Sequence, residues 1–193
     1  KNDKTLNVLF LGTFTNSFDF EAIFSAAKIL QDQGAHVRFI FCGIGAKEKQ
    51  IKQSCEGLNN CIFAGWINSA QIKSILELSD VGLAPYIQTK NFTENIPNKP
   101  AEYLSESLLI ATSLEYGKLC EFINSKECGL SYGSDPVKLA SFLKNLSKDD
   151  KELNRLVKNA GEAFSSELDG KKTYLSMIKF LEQLTQENTI YKS

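Results

Sequence analysis

Short uninterrupted apolar runs recur along the chain, and segments with helical periodicity separate them. The runs predict strands at residues 8–11, 37–42, 61–65, 81–85, 108–112 and 129–132. Strands that are apolar without alternation are covered on both faces, as in parallel sheets. Because they alternate with helices, the pattern predicts an α/β fold: a Rossmann-like, doubly wound parallel sheet of about six strands, with helices on both faces.

Helix boundaries are indicated by apolar spacing together with capping and breaking residues. Apolar residues at helical spacing predict a helix over 22–30, which Gly34 ends, and another over 69–78 with Ser69 as its N-cap. Further helices are predicted over 47–55 and about 116–125, and two or three C-terminal helices complete the chain.

Composition and charge are those of an ordinary globular protein. The 193 residues suit a single domain over 1–193, with 1–6 as a linker, and the 42% apolar content can supply a core. A net charge of −1 disfavours a dedicated nucleic-acid binder. No apolar run approaches the roughly 18 residues of a membrane span, and no secretory signal is visible. The first residue is not Met, and we therefore expect a fragment or a processed product.

The cysteines and the single histidine form no metal-binding pattern. Five cysteines are present, an odd number, and no C-x-x-C pair occurs among them. Since His36 is the only histidine, a zinc site would need an unusual ligand set. We therefore expect no metal, and reduced thiols in a cytoplasmic protein.

Ligands of doubly wound sheets bind beyond the carboxyl ends of the strands, where the strand order reverses. The loops that reach this edge contain Gly12 and Thr13, Gly43, Trp66 and Ile67, and the stretch 88–98. Each loop also has a simple structural interpretation, because glycine is common after a strand and tryptophan often packs. Gly43-x-Gly45 lacks the full dinucleotide fingerprint, and the P-loop motif does not occur.

The stretch TENIPNKPAEYL, which follows the fourth predicted strand, is more specific. Proline lacks an N–H, so Pro100 fits the first turn of a helix that begins near Lys99 with Asn98 as its cap. The free amides and positive end of such a helix suit phosphate, and Lys99 adds a charge. Glu102 can accept hydrogen bonds from the vicinal hydroxyls of a ribose, while Glu94 stands at the opposite end. The stretch therefore fits a nucleotide sugar.

The same stretch resembles a known family. Glu94 and Glu102, separated by seven residues, match the paired-glutamate motif of retaining GT-B glycosyltransferases, and PNKxxEYL resembles the family-4 members that build bacterial polysaccharides. The earlier segments FIFCGIG, IFAGW and SDVGLAP resemble the family's preceding strands. The resemblance covers about residues 7–185, in order and at the expected spacing.

This resemblance implies the C-terminal, donor-binding half of a two-domain hexosyltransferase that uses a nucleotide-diphosphate sugar. A saccharide or lipid-linked acceptor would be held by the other half. The resemblance implies Glu94 as the catalytic carboxylate beside the transferred sugar and Glu102 as the ligand of the donor ribose. Contacts to the donor phosphates, base and sugar are implied for Gly12, Thr13, Gly43, Trp66, Ile67, Asn95, Ile96, Pro97, Asn98 and Lys99. No cofactor besides the donor substrate is implied.

The resemblance also bears on the whole enzyme. It implies a cytoplasmic protein that in full length associates peripherally with the inner face of the membrane. The last helix, at about 171–190, would return to the N-terminal domain. Because positioning of the acceptor supplies much of the rate, we expect the 193-residue chain alone to be inactive.

Two departures from the family concern the donor diphosphate. Many members carry a basic residue just after the first-strand glycine and a Lys-Gly pair at the start of the next helix, where this sequence has GTF and FDFE. A diphosphate is normally offset by arginine or lysine, and Lys99 is the candidate replacement. The glycine-rich segment after the first glutamate is here NIP, which offers fewer amides.

Two other functions stay open on the sequence, because fold does not determine function. A non-catalytic Rossmann-like interaction module would bind no nucleotide. A GT-B sugar-nucleotide epimerase would form its product without an acceptor.

Overall fold

The computed structural model describes residues 5–190, except for the side chains of Thr173 and 186–190. In this part of the chain six parallel strands form one sheet in the order β3-β2-β1-β4-β5-β6. The strands are β1 (Leu6–Leu11), β2 (Val37–Cys42), β3 (Cys61–Gly65), β4 (Val81–Ala84), β5 (Leu109–Thr112) and β6 (Gly129–Ser131). The predicted Rossmann-like sheet is confirmed.

Helices cover both faces of the sheet. They are α1 (Glu21–Asp32), α2 (Glu48–Ser54), α3 (Ser69–Glu77), α4 (Lys90–Thr93), α5 (Asn98–Ser105), α6 (Lys118–Lys126), α7 (Pro136–Leu146), α8 (Asp150–Ala163) and α9 (Gly170–Ile190). A π-helical turn, Phe164–Leu168, joins α8 to α9. The chain moves from β1 to β3 in one direction and from β4 to β6 in the other, so right-handed connections place α1 and α5 on opposite faces. α1 packs with α7, and α5 packs with α8.

Two predicted helix caps are wrong. Asn68 caps α3, because its side chain accepts a hydrogen bond from the Gln71 amide at 3.0 Å and the Gln71 side chain accepts one from the Asn68 amide at 2.9 Å. This reciprocal pair forms a capping box, which leaves Ser69 as the first helical residue. Asn98 is likewise the first residue of α5. Pro97 precedes it with extended backbone (φ −64°, ψ 162°) and supplies no side-chain cap.

The two ends of the chain were predicted to be a linker and a last helix. Residues 1–4 of the predicted linker lie outside the described residues, and Leu6 already belongs to β1. At the other end α9 carries a stripe of exposed apolar side chains: Tyr174, Leu175, Met177, Ile178, Phe180, Leu181 and Leu184. Within residues 5–190, none of the helices combines the length and apolar composition that a membrane crossing needs.

An aromatic cluster lies under the carboxyl edge of the sheet. Phe10 is at its centre, and the rings of Phe14, Phe18 and Phe20 lie 5.7, 5.2 and 4.8 Å from it. Phe18 and Phe20 meet Phe10 edge to face and Phe14 stacks on it, and aromatic pairs of both kinds add to the stability gained by burial alone. The cluster gives the first loop an apolar floor.

The crevice that positions the site lies between β1 and β4. β1 pairs with β2 along its whole length, up to Leu11 and Cys42. With β4 it pairs only through Val8–Val81 and Leu9–Gly82. The two central strands therefore part before their carboxyl ends, at the point where the strand order reverses and ligands of such sheets bind.

Candidate functional site

Tyr103 of α5 crosses the crevice where β1 and β4 part. Its side chain is fully buried, and its hydroxyl accepts a hydrogen bond from the Leu11 amide at 2.9 Å. The ring lies directly on Gly82 of β4, where a Cβ would overlap it. Burial raises the pKa of Tyr103. The phenol is therefore neutral, and it holds the N-terminal end of α5 at the carboxyl edge of the sheet.

The Lys99 ammonium lies beside the end of β1. Its nitrogen is 5.6 Å from the ring centre of Phe10 and 5.4 Å from that of Phe18. A Cβ on Gly12 would collide with it. Desolvation lowers the pKa of Lys99 more than the nearby Glu102 carboxylate raises it. Among the described residues no carboxylate forms an ion pair with this ammonium, which leaves a partly buried cation facing the crevice.

The first turn of α5 lies at the same place. Because Pro97 supplies no side-chain cap, the first backbone amides of the helix are free to meet an anion. Pro100 lacks an amide and is buried in this turn, as the sequence predicts. Amides, a positive helix end and the Lys99 ammonium thus converge beside Gly12, and together they suit a phosphate group.

The loops after β1 and β2 touch through their backbones. Gly12 and Gly43 have φ angles of 153° and 148°, and a Cβ on Gly43 would overlap the Gly12 carbonyl. The Phe14 amide donates to the Ile44 carbonyl at 3.0 Å, which ties the loops together. The Gly43 backbone therefore packs directly against the Gly12 backbone, whereas the Thr13 side chain is exposed at the carboxyl edge of the sheet.

The loop after β3 presents an aromatic side chain beside an apolar groove. Trp66 is 68% exposed, so it does not pack as an ordinary core residue. Ile67 is half-buried and lines a groove of about 320 Å³ between α3 and the sheet. Its other apolar lining comes from Cys42, Ala64, Ala70, Ile75 and Leu78. The Gly43 amide donates to the Gly65 carbonyl at 2.7 Å, which joins this loop to the first two.

The loop that precedes α5 carries Glu94 on the β5 side of the crevice. Glu94 is exposed and ends the short helix α4, which the sequence did not predict. Thr93 beside it packs on Gly117, where a Cβ would overlap the Thr93 backbone. The Glu115 amide donates to the Gln88 side chain at 2.9 Å, so this loop is fastened to the loop after β5.

The remaining predicted residues are distributed along this loop and α5. Asn95 is exposed, and its side-chain amide donates to the Asn91 carbonyl at 2.5 Å. Ile96 is half-buried and packs against the core, and Asn98 is exposed. Glu102 is exposed one turn after Asn98. Burial raises the pKa of Tyr86, and the Glu102 charge adds to that rise.

The structure thus groups the predicted residues into three patches along one edge. Gly12, Lys99 and Glu102 lie at the centre, the loop after β3 lies on one side, and Glu94 lies on the other. Tyr103 and the two phenylalanines under Lys99 were not among the residues predicted for this site. No three His, Cys, Asp or Glu side chains in the described part of the chain converge on a possible metal position.

Residues 1–163 match the family model described as glycosyl transferases group 1. The chain belongs to this family. None of the curated protein sequences is significantly similar to it. The resemblance seen in the sequence is therefore confirmed at the level of the family.

Solved structures share the fold of this glycosyltransferase chain at low sequence identity. Anabaena HepE in complex with UDP has a TM-score of 0.74 and 15% identity, over 93% of this chain and 49% of that one. The C-terminal domain of the group 1 protein LpcC from Francisella tularensis has a TM-score of 0.66 and 17% identity, over 84% and 86%. WaaG, a glycosyltransferase of lipopolysaccharide biosynthesis, has a TM-score of 0.67 and 14% identity, over 86% and 44%. The chain spans about half the length of WaaG and HepE, and its fold is that of one half of a GT-B enzyme.

Proposed function

We propose that this chain is the donor-binding half of a retaining glycosyltransferase that transfers a sugar from a nucleotide-diphosphate sugar to a saccharide or lipid-linked acceptor. Membership of the family supports the reaction class. The observation that carries the proposal for the site is the unpaired Lys99 ammonium, which meets the free first turn of α5 where β1 and β4 part. HepE with UDP and glucose, and TarM with UDP, are structures of the same fold.

The donor would lie across the three patches. Its base would enter the apolar groove beside Trp66 and Ile67, and its ribose hydroxyls would donate to Glu102. The diphosphate would meet Lys99 and the first amides of α5, beside Gly12 and Thr13. The sugar would extend along Asn95, Ile96 and Pro97 to Glu94, which would stabilise the positive charge that develops as the diphosphate leaves.

Charge at the diphosphate position favours Lys99 as the replacement for the missing basic residues. Phe18, Asp19 and Glu21 occupy the region where many relatives carry a Lys-Gly pair, so the start of α1 offers no cation. A dehydrated ammonium interacts more strongly with a diphosphate than an exposed one does, because the local dielectric is lower. The partly buried Lys99 would therefore supply the main positive charge for the diphosphate.

The acceptor site would belong to the other half of the enzyme. The exposed apolar stripe of α9 supports this division, because an isolated domain seldom leaves so many large apolar side chains in water. We propose that α9 packs against the N-terminal half and that the 193-residue chain alone transfers no sugar. A cytoplasmic location, with peripheral membrane association for a lipid-linked acceptor, completes the proposal. The five free cysteines fit that location.

Steady-state kinetics of two glutamate variants in the full-length enzyme test this function. Glu102→Gln weakens a remote ribose contact that is similar in the ground and transition states, so KM should rise about tenfold with kcat little changed. Glu94→Gln removes charge beside the reacting sugar, so kcat should fall about 10²-fold or more.

Glu106→Gln is the matched control, because Glu106 is exposed at the far end of α5. Near-wild-type kcat and KM in both test variants would contradict the assignment. Sugar conversion without any acceptor would indicate an epimerase instead. Absence of turnover and of nucleotide binding in the wild type would indicate an interaction module.

A further inference from the structure

We propose that Tyr103 and Phe18 are positioning residues that set the Lys99 ammonium at the end of β1, a role that rests on the donor site proposed above. Neither residue has to touch the donor. Both act on the Lys99 ammonium, which would contact the donor. Tyr103 acts through helix α5, which carries Lys99, and Phe18 acts through its ring, on which the ammonium lies.

Tyr103 fixes the helix. Its hydroxyl takes the hydrogen bond of the Leu11 amide at 2.9 Å, at a level of β1 that β4 no longer reaches. Lys99 lies four residues earlier, which is about one helical turn, and it meets Gly12, the next residue after Leu11. The Tyr103–Leu11 hydrogen bond and the Lys99–Gly12 contact are therefore neighbours, one turn apart on α5 and one residue apart at the end of β1. The hydrogen bond thus sets the distance between Lys99 and the end of β1.

Gly82 makes this anchor rigid. The Tyr103 ring lies where a Cβ of residue 82 would be, so the helix approaches the sheet more closely than any side chain at that position would allow. The ring and its hydroxyl are fully buried, between a strand on one side and the helix on the other. A small rotation of α5 would break the hydrogen bond and lift the Tyr103 ring off Gly82 together.

The Lys99 ammonium lies against the rings of Phe18 and Phe10, which together form its binding surface. Their rings are 5.2 Å apart and nearly perpendicular, at 78°, and the Lys99 nitrogen lies 5.4 and 5.6 Å from the two ring centres. Distances below about 6 Å allow a cation–π attraction, which strengthens when water is excluded. Gly12 forms the third side of this binding surface, because any larger residue at position 12 would fill the space of the ammonium.

Phe18 is itself held in place on both sides. The Asp19 amide donates to the Pro85 carbonyl at 2.7 Å, and the Ile87 amide donates to the Ser17 carbonyl at 3.1 Å. These bonds fasten the first loop to the segment after β4. The backbone of Phe18 therefore cannot move away from Lys99 without breaking a contact between the two halves of the sheet.

The charges around Lys99 leave it ready for an anion. Glu102 on its own helix is the charged group that acts on it, and the phenols of Tyr86 and Tyr103 nearby are neutral because burial raises their pKa values. A donor diphosphate would supply the anionic partner that the described side chains do not. The position of the ammonium then controls affinity for the diphosphate and leaves affinity for the nucleoside unchanged.

The test compares Tyr103→Phe and Phe18→Leu with a matched control, Tyr132→Phe. Tyr132 is also a buried tyrosine, but it follows the edge strand β6, and its hydroxyl lies near Ser113 and not at the end of β1. Phe18→Tyr keeps the ring and should behave like the wild type. Lys99→Met reports the loss of the cation itself.

Two measurements are made on the whole chain. The first is the Lys99 pKa without nucleotide, from NMR titration of the side-chain nitrogen. It should rise toward the ordinary lysine value in Tyr103→Phe, because water reaches the ammonium. In Phe18→Leu it should fall further, because a cation–π attraction that favours the charged form is lost. The second is calorimetric affinity for UDP and GDP against uridine and guanosine. The preference for the diphosphate should fall about tenfold in both variants, which corresponds to about 1.4 kcal/mol, with nucleoside affinity unchanged.

The two proposals fail in different ways. If the wild type shows no preference for a diphosphate over its nucleoside, the donor site is wrong, and the NMR titration alone decides the positioning roles. If the wild type and Lys99→Met behave as expected while Tyr103→Phe and Phe18→Leu match Tyr132→Phe in both measurements, the positioning roles are overturned. Should Tyr103→Phe fail to fold, Phe18→Leu against Phe18→Tyr gives the same decision.

Discussion

Replacing Lys99 with methionine should weaken diphosphate binding and stabilise the empty protein at the same time. A hydrogen bond between a charged group and its partner contributes about 1.5–3 kcal/mol, and each 1.4 kcal/mol is tenfold in affinity. UDP should therefore bind about 10- to 150-fold more weakly to Lys99→Met, while uridine binds as before. Lys90→Met is the control, because Lys90 is exposed on the preceding helix α4 and its replacement removes the same charge.

Stability should change in the opposite direction, for a reason that lies in the lowered pKa of Lys99. Burial makes the charged form less favourable in the folded protein than in water. Methionine keeps most of the apolar stem and removes the charge. The free energy of unfolding at pH 7 should rise within the range of about 0.5–2 kcal/mol that single stabilising substitutions give. The loss of two cation–π contacts reduces the gain.

The pH dependence has a definite sign. The unfolded chain releases the Lys99 proton near 10.5, the ordinary lysine value, and the folded chain releases it at lower pH. The free energy of unfolding of the wild type should therefore rise with pH between the Lys99 pKa of the folded chain and that of the unfolded chain. This gain is complete above the unfolded pKa and is lost as pH falls through the folded pKa. Diphosphate affinity needs the protonated amine, so it should fall as pH rises through the same folded pKa. Lys99→Met should lack both slopes.

Calorimetry with UDP and uridine, together with urea denaturation across this pH range, measures both effects. Equal UDP affinities in Lys99→Met and the wild type would refute the role of the ammonium. A drop in stability at pH 7 larger than that of Lys90→Met would refute the view that burial of the charge is costly.

Two stability predictions concern backbone positions. Gly82→Ala should cost about 1–3 kcal/mol or more, since the new Cβ overlaps the Tyr103 ring, whereas Gly170→Ala has open space and should cost little. Equal urea midpoints for these two variants would show that the contact is not tight. Ser107→Gly should stabilise by up to about 1 kcal/mol, because Ser107 has a φ of 63°, and the relieved strain exceeds the added chain entropy of glycine. A lower thermal midpoint would mean that the Ser107 side chain contributes more through its contact with α8 than its backbone costs.

The sequence was sufficient for features that depend on local patterns. β2 and β3 have the predicted bounds, because β-branched and aromatic residues are prominent in each run and a glycine stands at its end or directly after it. The expected cover on both faces is wrong for β3, because this edge strand alternates between half-buried and exposed residues. The Asn68 cap could also have been found, since Asn-x-x-Gln is a capping-box pattern, but Ser69 offered a competing cap one residue later. The order of the donor-site loops followed from the alternation of strands and helices.

The central contacts of the site could not be predicted in this way. Tyr103 and Leu11 are 92 positions apart, and no local pattern indicates that β4 leaves β1 after Gly82. The phenylalanines of the first loop read as core residues, and only the structure reveals Lys99 above two of them. Helix α4 is four residues long and has no helical periodicity to detect.

Titration of the 193-residue chain with nucleotides tests the central claim most directly. UDP, GDP and their sugars are added in turn and the heat is recorded, first for the wild type and then for Glu102→Ala. We expect weak binding of at least one diphosphate, and a loss of about 1–3 kcal/mol in Glu102→Ala, because polar partners are left unpaired. No heat with any of these ligands at millimolar concentration would contradict the donor site.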